Sequence, residues 1–259
     1  MKNLILLTAV LTLYSCSNGS KEISYEVKVA DVENADISLN GTWKLTLDPP
    51  EDFYKNEVVP EQWEDAEVPN ELLAQGFMIE MDKPFVYKRQ IDIPGDFAGN
   101  SILINFKAVN NLAKVYVNGT YVTTHQGGFT EWHCDITDFV EPGKTTWLAV
   151  EVNNISREIS FNGKAQRPTG GIVRDVILQA RPKTFMPFII VSSPFDDSFT
   201  NASLQITGLV NNPSDDVRAS FQLFDPHNKK VSLKNNTLNL NEELVYFSVP
   251  VKNPGKWDA

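Results

Sequence analysis

Residues 113–124 read Ala-Lys-Val-Tyr-Val-Asn-Gly-Thr-Tyr-Val-Thr-Thr. Two β-rich runs, 113–117 and 121–124, flank Asn118-Gly119. That dipeptide is the strongest short hairpin signal, because both central residues of a type I′ turn need a positive φ. Working outward, the same grammar recurs. In residues 85–93 the odd positions are apolar, with Arg89 the exception. In residues 102–108 the even positions are apolar and the odd ones turn polar. Period-two alternation of this kind marks half-buried strands. Residues 145–152 and 172–180 read as further strands, the latter as one strand that points Arg174 and Asp175 to opposite sides. No stretch shows three clean turns of helical periodicity. Short helices are predicted near 71–73 and 136–140, the second capped by Asp135.

The pattern continues past Arg181-Pro182, a plausible boundary. Strands are predicted at 185–191, 204–211, 217–224 and 244–251, separated by turn clusters at 211–216 and 225–228. Strands at this spacing with such punctuation indicate sandwiches. The reading is therefore all-β, with two sandwiches in series at residues 36–181 and 183–259.

Composition narrows the functions. Hydrophobic residues make up 42% and charged residues 22% of 259, which excludes disordered and fibrous classes. Lys plus Arg is 23 against 33 Asp plus Glu, a net charge of −10 that disfavours nucleic acid as a partner. Two Cys and three His leave little for a metal cluster or disulfide framework. His125, His133 and Cys134 lie close together, but their spacing matches no ligand geometry. Cys134 reads as a buried bystander. No phosphate loop or nucleotide fingerprint is present, so no cofactor and no metal are expected.

The first residues read as an address. Lys2 precedes an apolar run at 4–13, too short for a bilayer span of about 20 residues and suited to a signal-peptide core. Leu13-Tyr14-Ser15-Cys16 resembles a bacterial lipobox. The expectation is a lipoprotein signal peptide at 1–15, lipidation at Cys16, and a tether and N-terminal extension at 16–35. The protein would then be an exported envelope lipoprotein at the outer membrane or periplasmic face, held to the membrane by its lipid. The alternative is an ordinary secretory signal with a chance Cys.

Five short stretches carry a family resemblance. They are Leu39-Asn40-Gly41-Thr42-Trp43-Lys44-Leu45, Val115-Tyr116-Val117-Asn118-Gly119, His125-Gln126-Gly127-Gly128-Phe129-Thr130, Asp135-Ile136-Thr137 and Gly170-Gly171-Ile172-Val173-Arg174-Asp175-Val176. Their order and spacing resemble the N-terminal sugar-binding domain of glycoside hydrolase family two, which contains β-galactosidases, β-glucuronidases and β-mannosidases. The resemblance runs from 38 to 259. It implies a jelly-roll (galactose-binding-like) sandwich followed by an immunoglobulin-like β-sandwich. Physically these motifs read as scaffold: Trp43 anchors a core, and the glycines permit bends that a Cβ would block.

The resemblance also implies that catalysis belongs to a third domain, a (β/α)8 barrel whose two Glu carboxylates perform retaining hydrolysis. A barrel takes about 250 residues, and after Pro182 this sequence has 259 − 182 = 77. Asn-Glu pairs at Asn56-Glu57, Asn70-Glu71 and Asn241-Glu242 sit in turn-like stretches and are rejected as catalytic. An immunoglobulin-like sandwich needs about 100 residues, so residues 183–259 are expected to be incomplete, with an open edge. The leading reading is the non-catalytic N-terminal portion of an exported glycoside hydrolase, which braces the barrel and helps wall its sugar pocket. The alternatives are a stand-alone carbohydrate-binding surface lipoprotein and a structural or interaction module. In the family a loop before the Gly-Gly-Ile strand reaches the barrel mouth, often with an acidic residue. The corresponding residues 160–169 hold none. Asn162, Lys164, Gln166 and Arg167 are the candidate substrate-binding residues, able to bond hydroxyls or, for the cations, a uronic carboxylate. Trp63, Phe129 and Trp132 are candidate platforms for a sugar ring, with core packing as the competing role.

Overall fold

The computed structural model describes residues 28–58, 60–155, 170–225, 227 and 229–256, and the backbone of 7–11. In chain order the strands are β1 (Leu7–Leu11), β2 (Asp36–Ser38), β3 (Gly41–Thr46), β4 (Glu64–Val68), β5 (Phe85–Asp92), β6 (Ser101–Phe106) and β7 (Val109–Asn110). They continue with β8 (Leu112–Val117), β9 (Thr120–Gln126), β10 (Trp132–Asp135), β11 (Thr145–Asn153), β12 (Gly171–Ile172) and β13 (Val176–Arg181). The last are β14 (Phe185–Ser192), β15 (Asn201–Asn211), β16 (Arg218–Phe224), β17 (Lys230–Val231), β18 (Thr237–Asn239) and β19 (Leu244–Lys252). The chain divides into two compact units, one of Val27–Pro182 and one of Lys183–Ala259 that takes in β1.

The first unit is an antiparallel sandwich. Its larger sheet runs β4-β3-β5-β11-β8-β9 and its smaller one β10-β6-β13-β2, with β7 and β12 as a short separate ladder. Trp43, Tyr87 and Val150 from the larger sheet meet Ile104, Phe106 and Leu178 from the smaller in one buried cluster. Alternation decides which residues these are, because every second side chain of a strand points inward. Arg89, the exception in 85–93, sets its guanidinium 5.8 Å from the centre of the Trp43 ring and donates to the carbonyls of Leu39 (2.6 Å) and Asn40 (3.2 Å). Packing of this unit starts before β2: Val29 and Ala35 are buried, and Ala180 N–H donates to the Ala35 carbonyl at 2.8 Å.

The stretch 172–180 is two strands, not one. β12 pairs with β7, whereas β13 pairs with β6 and β2. The partner chain breaks at the same level, between Phe106 and Val109, so both chains bend together. Val173 N–H donates to the Ala108 carbonyl at 3.2 Å and Lys107 N–H to the Asp175 carbonyl at 2.9 Å across the bend. Arg174 and Asp175 therefore sit in the link between strands, and Asp175 accepts from Asn40 Nδ2 at 2.9 Å. The two short helices are single 3-10 turns at Leu73–Gln75 and Thr137–Phe139, and a third, Gly95–Phe97, follows Pro94. The N-cap position of the second is held by Ile136 rather than Asp135, whose Oδ1 accepts from Thr137 N–H at 2.9 Å and from its hydroxyl at 2.5 Å in the turn before it.

The second unit is also all-β. β14-β15-β19 form an antiparallel sheet, and β16 pairs antiparallel with β17 and β18. β1, which falls inside the segment read as a leader, runs parallel to β16 with Leu7 opposite Ala219. Leu204, Ile206, Val249, Phe221 and Phe247 form the core, the two phenylalanine rings 5.2 Å apart.

Candidate functional site: an amide-lined end of the first sandwich

The candidate loop of 156–169 leaves from β11 and returns into β12. Asn162, Lys164, Gln166 and Arg167 lie outside the described residues, as does Cys16. The two roots of that loop are described, and both are firmly held. At the outgoing root, Ile155 N–H donates to Asn111 Oδ1 at 3.1 Å, and the Asn154 carbonyl accepts from Asp82 N–H at 2.8 Å. At the returning root, the Gly170 carbonyl accepts from Leu72 N–H at 3.2 Å and the Ile172 carbonyl from Asn70 N–H at 3.1 Å. Glu71 Oε1 lies 3.5 Å from Gly170 N.

A side chain at any of three glycines here would displace the end of a neighbouring side chain. A Cβ on Gly170 would strike Ile79 and lie 2.7 Å from Asn154 Nδ2. Gly171 has φ +111°, and a Cβ there would lie 2.5 Å from Tyr87 Oη. A Cβ on Gly128 would lie 2.5 Å from Asn110 Oδ1. Two glycine segments, 127–128 and 170–171, thus lie against the side chains of Asn110 and Asn154, both buried. Burial holds the Tyr87 phenol far above its ordinary range, against the lowering influence of the Ile172 backbone. The phenol stays protonated. This end of the sandwich buries the carboxamides of Asn110, Asn111 and Asn154, and Asn111 Oδ1 is taken up by the outgoing root of the loop.

The candidate platforms divide. Trp132 is buried and stacked between Phe106 (4.6 Å) and His125 (4.5 Å), so it is core. Burial holds the His125 imidazole below its usual range, despite a bond to the Gly127 backbone that favours the cation. Phe129 is exposed, and its carbonyl accepts from the Arg174 guanidinium at 3.3 Å. Trp63 packs against Phe53, Val86 and Ala149 on the outer face of the larger sheet. His133 and Cys134 point to opposite faces of β10, and burial pushes the Cys134 thiol up to about 12. Among the described residues, no cluster of His, Cys, Asp or Glu is arranged to hold a metal ion.

Sequence reasoning missed the buried asparagines, although the doubled Asn110-Asn111 and Asn153-Asn154 at strand ends were visible. It also missed a row of tyrosines on the outer face of the larger sheet. Tyr54 stacks on Tyr116 with centroids 5.3 Å apart, and Tyr121 meets Tyr116 edge-on at 5.7 Å.

The two-sheet antiparallel sandwich, with short 3-10 turns and no α-helix among the described residues, defines an all-β module. The chain belongs to glycosyl hydrolases family 2 through its sugar binding domain, whose family model matches residues 37–182. A β-galactosidase of Priestia megaterium is 24% identical over 257 residues, covering 86% of this chain and 25% of that protein. A β-glucuronidase of Formosa agariphila is 27% identical over 157 residues, covering 57% of this chain and 16% of that protein. The crystal structure of a Bacteroides uniformis β-glucuronidase matches with a TM-score of 0.71 at 24% identity, covering 86% of this chain and 28% of that one. The chain spans about a quarter of the length of the curated relatives that it matches first. The described residues contain no α-helix, and so no part of a (β/α)8 barrel.

Proposed function

We propose that this chain is the non-catalytic N-terminal part of an exported glycoside hydrolase. The first unit braces a catalytic barrel, and the loop of 156–169 carries Asn162, Lys164, Gln166 and Arg167 toward its sugar pocket. The second unit is an immunoglobulin-like spacer, and lipid on Cys16 anchors the whole at the envelope. The supporting observation is the pair of rigid roots at Asn154 and Gly170. A loop fixed at both ends positions side chains more precisely than a free one. A Lys and an Arg on such a loop suit a uronic carboxylate, and the amides suit sugar hydroxyls.

The test has two arms. The purified 259-residue chain is expected to release no nitrophenol from 4-nitrophenyl β-galactoside or β-glucuronide. The product of the reading frame followed past codon 259 is expected to hydrolyse one of them. In that longer product, Lys164→Ala and Arg167→Ala are each expected to raise KM about tenfold without lowering the melting temperature. Turnover by the 259-residue chain, or a longer product without glycosidase activity, overturns the reading. Anchoring is checked separately: Cys16→Ser is expected to move the protein from the membrane fraction to the soluble one.

A further inference from the structure

The outer face of the larger sheet is only half covered. A loop of residues 47–63 crosses over β3, β5 and β11. Lys88, fully buried on β5, pins it by donating to the carbonyls of Phe53 (2.9 Å), Lys55 (2.6 Å) and Val58 (2.7 Å). Phe53 seals the covered half by packing on Val86 and Ala149. The cover reaches as far as Tyr54, whose ring lies on Tyr116. Beyond that point the outer side chains of β8 are half-buried, and Tyr121 and Thr124 of β9 are exposed.

Two cross-strand rows make up this open half. In the first, Tyr116 stands opposite Tyr121, and Tyr121 is 51% exposed. In the second, Lys114 stands opposite both Glu151 on β11 and Thr124 on β9. Lys114 Nζ and Glu151 Oε1 pair at 2.7 Å, and Tyr121 Oη lies 2.8 Å from Thr124 Oγ1. The rows are two residues apart and span three strands, an area of about 7 by 10 Å. An aromatic ledge thus borders a floor of ammonium, carboxylate and hydroxyl.

We propose that this ledge is a second carbohydrate-binding face, distinct from the loop of 156–169, which takes a neutral glycan along β8 and β9. It rests on the reading of the first unit as a carbohydrate-handling domain. An exposed tyrosine ring offers a flat apolar surface to the C–H face of a pyranose. A neighbouring ammonium and carboxylate provide donors and acceptors side by side, the requirement of vicinal hydroxyls, each of which does both. Glu151 and the net charge of −10 disfavour an anionic ligand. Rows of this size cover far less than the roughly 800 Å² per partner of a stable protein interface. The ledge lies at the Asn118-Gly119 end of β8, whereas the Gly171–Asn110 ladder lies at the opposite end of that strand.

The test is titration of the 259-residue chain with β-1,4-linked xylohexaose, cellohexaose and galactohexaose, with trigalacturonic acid as the anionic comparison. At least one neutral hexasaccharide is expected to bind with Kd between about 10 µM and 1 mM. Tyr121→Ala is expected to weaken it about tenfold at an unchanged melting temperature, because the ring is half exposed. Tyr121→Phe is expected to keep most of the affinity, and Glu151→Gln to lose part of it. Binding by none of the neutral probes, binding by trigalacturonic acid alone, or equal binding by Tyr121→Ala each overturns the ledge. Binding lost only in Lys164→Ala or Arg167→Ala overturns the ledge while supporting the loop. Hydrolysis by the short chain would sink the hydrolase reading without touching the ledge.

Discussion

Lys88 shows what a local pattern conceals at the residue scale. Alternation in 85–93 places it on the polar side of its strand, which is where it lies. Its complete burial comes from a loop some thirty residues upstream that closes over it. Lys88→Met removes the donor from three carbonyls under that loop, and is expected to cost about 3 kcal/mol by urea denaturation. Gly171→Ala combines a positive φ with a Cβ against Tyr87 Oη, and about 2 kcal/mol or more is expected by the same measurement. Asp196 gives a pH signature. Its carboxylate accepts first from the Thr200 N–H, then from the Asn201 side chain and the Ser198 hydroxyl, and these bonds hold its pKa at about 2. The folded value lies below the ordinary 3.8, so its contribution is complete above that pH and is lost as pH falls through about 2. Hydrogen exchange at the Thr200 and Asn201 amides is expected to accelerate over that interval, and Asp196→Asn to abolish the dependence.

Elements were legible where a turn or an alternation announced them. The Asn118-Gly119 hairpin lies where its dipeptide places it, with φ of +48° and +81°. Gly119→Val puts a β-branched residue into that left-handed region and is expected to cost about 1–2 kcal/mol, read from the denaturation midpoint. Three-residue strands such as β2 and β18 carry too few residues for a period to register. The break between β12 and β13 was illegible for another reason. Its cause is a matching bend at Lys107-Ala108 on a neighbouring strand, and no local pattern reports a partner's bend. The tyrosine ledge escaped in the same way, because Tyr54 arrives from a loop to stack on a strand residue sixty positions away. The register of the visible hairpin sets Tyr116 opposite Tyr121, and only the open half-sheet around them was missing.

For the whole molecule, each compact unit holds its own main buried cluster, and this makes a direct expectation. A polypeptide of residues 27–182 is expected to fold on its own, with a cooperative thermal transition and a near-ultraviolet dichroism signal from the Trp43–Tyr87 core. A non-cooperative melt would show that its core depends on the rest of the chain. The strands at 85–92 and 101–106 and the turn after Val117 follow from alternating runs and the Asn118-Gly119 dipeptide. The inclusion of Val29 and Ala35 in the first core does not, since a few apolar residues in a polar stretch form no period.

The buried thiol of Cys134 turns this fold into its own timekeeper. The sequence holds two cysteines, and a fragment starting at residue 27 keeps this one alone. A thiol with a pKa near 12, sealed in a core, reacts with an alkylating reagent only after its strand opens. The rate of mass gain by that fragment therefore measures how often β10 leaves the sandwich. Each ligand or substitution can then be ranked by how far it slows or hastens that single event.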